Sequence, residues 1–145
     1  MTEGDEFLLA SDKMKYLLFG IRNNDDTMKI DQAIKKARAI LTSYSPTDPR
    51  KAGLFNVFGD ILKEAFRRTH KMEYLNESIS LRRKVTEDLL LPDTRSMLFP
   101  RLSNSLLRRF VYSPDHRKED LKEAVELLVS VKSMETRGHV KSLSG

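Results

Sequence analysis

Three histidines, His70, His116 and His139, are the residues whose type could do chemistry most readily, as general bases or metal ligands. None stands three or four residues from another, and no His-Glu-x-x-His run exists, so the spacing that places two imidazoles on one helix face for zinc is missing. Cysteine is absent, which removes thiolate metal sites, disulfides and a cysteine nucleophile. A Ser–His–Asp set can be assembled from Ser103 or Ser113 with His116 and Asp115. It has neither a nucleophile elbow nor a glycine-rich segment to build an oxyanion hole. The six glycines are scattered, so no loop cradles phosphate. Acidic pairs such as Asp25-Asp26 and Glu119-Asp120 fall where helices begin, and the helix dipole accounts for them. The expectation is no enzyme, no cofactor and no metal site.

Basic runs are the next candidates: Lys35-Lys36, Arg67-Arg68, Arg82-Arg83-Lys84 and Arg108-Arg109. The net charge of +5 (26 basic against 21 acidic residues) would suit an acidic partner or nucleic acid. Nucleic acid also needs the cations on one stripe, with aromatic rings for bases to stack on. Phe58, Phe66 and Phe110 instead fall in apolar ladders, and acidic residues lie between the basic ones. A basic helical nucleic-acid-binding module is therefore the alternative reading, behind protein binding. No apolar run approaches the roughly 20 residues of a membrane span. The N-terminus Met-Thr-Glu-Gly-Asp-Glu lacks the positive segment of a signal peptide, so a cytoplasmic protein is expected.

Helices must position all of these residues. Phe7, Leu8, Ala10, Met14, Leu17 and Leu18 recur at helical spacing and predict a helix over 6–21. A second helix follows over about 27–42, with Thr27 as its N-cap and Ile30, Ala33, Ile34, Ala37, Ile40 and Leu41 inward. Asp48-Pro49 reads as N-cap and first residue of a third, over 49–68. The fourth covers about 73–89, and Pro92-Asp93 opens a turn before a fifth over 95–111. Pro100 lies inside that fifth helix, so either a kink or a start near Phe99 is expected. The sixth runs over 120–132, opened by a capping-box-like Asp120 and Glu123, with the chain frayed after Met134.

These helices repeat. Leu98, Leu102, Leu106 and Phe110 form a ladder whose copy, Leu54, Phe58, Leu62 and Phe66, stands 44 residues earlier. A second ladder, Leu121, Val125 and Val131, has copies at Leu75, Ile79 and Val85 and at Ile30, Ile34 and Ile40. The steps are 45 (30 to 75) and 46 (75 to 121), a period that marks stacked helical hairpins. One domain over 1–145 is expected, in units of about 6–48, 49–93 and 94–135. The last unit has no polar capping helix, which predicts either a longer array or self-association through its uncovered side.

Each unit's first helix carries large and small residues in the order Leu54-Phe55-Asn56-Val57-Phe58-Gly59-Asp60-Ile61-Leu62, and later Leu98-Phe99-Pro100-Arg101-Leu102-Ser103-Asn104-Ser105-Leu106. Each second helix carries a small-large pair: Ala33-Ile34, Ser78-Ile79 and Ala124-Val125. This text resembles the tetratricopeptide repeat in a longer form. It is most similar to the repeat arrays of fungal proteins that end in a caspase-like CHAT protease, through Leu102-Ser103-Asn104-Ser105-Leu106-Leu107-Arg108-Arg109-Phe110 and Asp120-Leu121-Lys122-Glu123-Ala124-Val125. Residues 27–133 carry the likeness, with Ser103 where Gly is usual, Ser78 where Ala is usual, and Pro100 as departures. The resemblance implies an all-α, right-handed solenoid of tetratricopeptide-like hairpins. It implies a scaffold or regulatory module of a larger effector protein, binding a protein or peptide in the groove of its first helices. Carried over by position, Asn56, Asp60 and Lys63, and later Asn104, Leu107 and Arg108, would face that groove.

Overall fold

A ladder of large apolar residues at helical spacing can be buried only if a second helix lies on it, and the chain folds accordingly. The computed structural model describes residues 3–23, 26–44, 51–88, 92–115 and 117–144. Among them are six α-helices and no strand: α1 (Glu3–Arg22), α2 (Thr27–Thr42), α3 (Lys51–Thr69), α4 (Met72–Asp88), α5 (Pro92–Tyr112) and α6 (Lys118–Ser144). Adjacent helices pack in pairs as antiparallel hairpins. The chain divides into two compact units, Met1–Val85 and Thr86–Gly145.

In the first unit α1 packs on α2, and α3 lies against both. Its core is the expected ladders, with Ile30, Ile34, Leu54, Phe58, Leu62, Leu75 and Ile79 all buried. The 44-residue step also reaches further back than the sequence suggested. Ala10, Met14 and Leu18 are buried at the positions of Leu54, Phe58 and Leu62. Ala and Met stand there for Leu and Phe, which hid the first copy of the ladder. In the second unit α5 packs on α6, with Leu98, Leu102, Leu106 and Ala124 buried.

In each later hairpin one serine hydroxyl bonds across to a backbone oxygen of the facing helix. Ser78 of α4 donates to the backbone oxygen of Gly59 on α3, at 3.2 Å. In the second unit the hydroxyl sits on the opposite helix: Ser103 of α5 donates to the oxygen of Ala124 on α6, at 3.0 Å. Gly59 corresponds to Ser103 and Ser78 to Ala124, so the serine has changed sides while the bond between the two small positions is kept. A Cβ at Gly59 would stand 2.8 Å from Nε of Arg82, so the end of that side chain would have to shift.

Several boundaries differ from expectation. Asp26, not Thr27, caps α2: its Oδ1 accepts from the Met28 amide at 2.9 Å. The carboxylate satisfies an amide that the helix leaves unbonded. The proposed cap at Asp48-Pro49 lies outside the described residues. Pro92 is the first residue of α5, where its missing N–H costs nothing, and the helix starts there and not near Phe99. It continues unbroken through Pro100, whose ring is exposed and so intrudes on no core. Asp120 is not a cap, since α6 begins two residues before it. Nor does α6 end near residue 132; it runs on to Ser144. No proline interrupts residues 118–144, and a single Gly138 costs only about 1 kcal/mol in a helix.

Candidate functional site

The polar residues that repetition aligns along the first helices take up different roles in the two units. On α3, Asp60 is tied to its own hairpin: its Oδ1 accepts from Nη2 of Arg82 at 2.9 Å. Arg82 is 2% exposed, and its Nε also reaches Ser78 Oγ at 3.3 Å. Asp60 therefore anchors a buried cation. Asn56 and Lys63 are half-buried, and the side-chain oxygen of Asn56 is enclosed without a hydrogen-bond partner.

On α5 the corresponding residues do come together. Asn104, Leu107 and Arg108 line one shallow cavity of about 360 Å³, joined by Val111 and Tyr112. Nε of Arg108 donates to Oδ1 of Asn104 at 3.1 Å, which holds the guanidinium over the helix surface. Val111 and Tyr112 are exposed. The place thus offers an apolar floor, a carboxamide and a cation one helical turn apart.

The basic runs are less available than their sequence suggests. Arg109 donates to both oxygens of Asp120, at 2.8 and 2.7 Å, and both residues are buried. Arg82 is buried as described above. Arg67 pairs with Glu64 at 2.6 Å, and Arg38 of α2 pairs with Glu77 of α4. The hydrogen bond from Arg67 holds the Glu64 carboxyl below the usual carboxylate range, and the bond to Glu77 raises Arg38.

His70 is exposed in the turn after α3, in the left-handed region at φ 57°, with its amide bonded to the Phe66 oxygen at 2.7 Å. It serves as a helix C-terminus, and its ring meets that of Phe66 edge-on. His116 lies outside the described residues. Among those described, no group of three or more His, Asp or Glu residues is placed to hold a metal ion. No helix among them is long and apolar enough to cross a membrane.

Two further surfaces stand beside the residues nominated by repeat position. Between α1 and α2 run two cavities, of about 360 and 640 Å³, that share Tyr16, Leu17 and Lys36. On α6, Leu121, Val125, Leu128 and Val129 are exposed at i, i+4, i+7 and i+8. The first was hidden with the α1 ladder; the second was visible as the uncovered side of the last hairpin. Compared with known proteins, the chain matches no family model, no curated protein and no solved structure.

Proposed function

We propose that this protein is an interaction module of the tetratricopeptide kind, binding a polypeptide partner along the first helices of its hairpins and catalysing nothing. The observation that supports this most is the α5 cavity, where Asn104, Leu107 and Arg108 meet Val111 and Tyr112. Peptide recognition on a helical scaffold uses such a mixture, apolar contact for affinity and a fixed cation for orientation. The likeness to the repeat arrays of CHAT-domain effector proteins suggests a regulatory or scaffolding part of a larger protein in the cytoplasm. A protein partner is favoured over nucleic acid because Arg82 and Arg109, two of the cations in the basic runs, are committed to buried ion pairs.

Selection from a displayed peptide library tests this directly. Peptides carrying an acidic residue near an apolar one are expected. Their binding should weaken by roughly tenfold or more with Arg108→Glu, as a reversed charge at a direct contact does. It should be unchanged with Lys84→Glu on α4. A library that yields no binder, or binders indifferent to Arg108, contradicts the proposal.

A further inference from the structure

The two hairpins of the first unit show how one hairpin receives the next. Helix α3 lies against α1 and α2, burying Ile30 and Ile34. Two ion pairs join α2 to the following hairpin: Asp31 with Lys71, in the turn before α4, at 3.6 Å, and Arg38 with Glu77 of α4. At the repeat positions of Ile30 and Ile34, α6 carries Leu121 and Val125, which are 38% and 50% exposed. So α6 presents the face that α2 gives to a following hairpin. At the other end, Leu17 of α1 occupies the position of the fully buried Ile61, yet it lines an open groove with Tyr16, Lys36 and Ile40. So the α1–α2 hairpin presents the face that α3–α4 gives to a preceding one.

The internal register can be carried to these faces. Moving 91 residues forward on α2 and 45 back on the following hairpin turns Asp31–Lys71 into Lys122 opposite Asp26. The second template pair, Arg38–Glu77, becomes the uncharged Val129 and Gln32, while between the two carried pairs Glu126 falls in register near Lys29. Lys122 with Asp26 and Glu126 with Lys29 are of opposite charge, and all four residues are exposed. We propose that the chain stacks head to tail on a second copy of itself, the α6 face of one copy seated on the α1–α2 groove of the next. A second copy is favoured because these two faces of one chain carry complementary charge in the register of its own hairpin interface. The contact joins different surfaces, so each copy can take a further copy on its other face and stacks lengthen with concentration.

Sedimentation equilibrium of the full chain across a concentration series reads this out. The mean mass should rise past twice 16.8 kDa and fall with salt. Glu126→Lys or Lys29→Glu alone should weaken stacking roughly tenfold, and the two together in one chain should restore it. Val125→Glu and Leu17→Glu should each give monomers, and their mixture a heterodimer that grows no further. Circular dichroism of each variant separates lost stacking from lost folding, and the charge-swapped chain keeps the test open if Leu17→Glu unfolds. A monomer at every concentration, a mass that saturates at twice the monomer, or a double swap without recovery overturns the proposal. The stacking rests on the repeat reading of the hairpins and not on the α5 cavity. Peptide binding that persists in a chain that does not stack would therefore count against stacking alone.

Discussion

Arg109 gives both of its bonded nitrogens to one carboxylate, Asp120, and the pair is enclosed between α5 and α6. A buried pair of this kind is weak evidence of net stability, but breaking it is costly because one charge stays behind. Asp120→Ala should destabilise the protein by about 3–5 kcal/mol, measured by urea unfolding. Replacing both partners together, as Arg109→Met with Asp120→Leu, should recover most of that loss. Glu64 supplies a pH dependence. Its carboxyl, held low by Arg67, favours the folded state above its ordinary titration range and loses that contribution as pH falls through its lowered folded value. Thermal midpoints followed downward from pH 6 should therefore drop less steeply in Glu64→Gln than in the unsubstituted chain. Neither arginine pairing was legible as such. Asp60 and Arg82 are 22 residues apart, and Asp120 looked like a helix cap because it precedes Glu123 by three. Ser78 and Ser103 were visible only as departures from a small-residue pattern. Each places a hydroxyl on a carbonyl of the facing helix, which a one-dimensional pattern does not contain.

Among the elements, the helices whose ladders use Leu, Ile and Phe were read closely, because burial of those side chains at helical spacing leaves little choice of face. Helix α1 was placed in the first unit, yet its ladder was not aligned with the others, since Ala10 and Met14 are weak copies of Leu54 and Phe58. The end of α6 was missed for the opposite reason: beyond residue 132 no apolar period is left to read, and helix continues there without a breaker. Pro100 was expected to disrupt α5, and the helix runs through it. An interior proline still forfeits a hydrogen bond and crowds the preceding turn, at a cost of about 3 kcal/mol in a helix interior. Pro100→Ala should therefore stabilise the protein, by roughly 1–3 kcal/mol in urea unfolding. No gain would mean that the turn at Ser96 has already relaxed around the ring.

At the scale of the whole chain, three hairpins repeat one pattern while their surfaces diverge. The internal faces of the first unit are closed by Arg38–Glu77 and Asp31–Lys71, whereas α6 and the α1–α2 groove keep apolar residues open. The hairpin architecture was legible because a period of 44 to 46 residues survives side-chain drift. The candidate surface came from repeat position alone. Position in the repeat nominated Asn56, Asp60 and Lys63 together with Asn104, Leu107 and Arg108, and the latter three line a common cavity. Repeat position says which way a residue points, and local partners such as Arg82 decide whether it is available. The proposed role is tested most directly by mapping amide chemical shifts while the protein is titrated with a selected acidic peptide and, separately, with single-stranded RNA. The expected result is a peptide response centred on Asn104, Leu107, Arg108 and Tyr112, with no saturable response to RNA. Shifts produced by RNA alone, along Lys35, Lys36, Arg83 and Lys84, would contradict it.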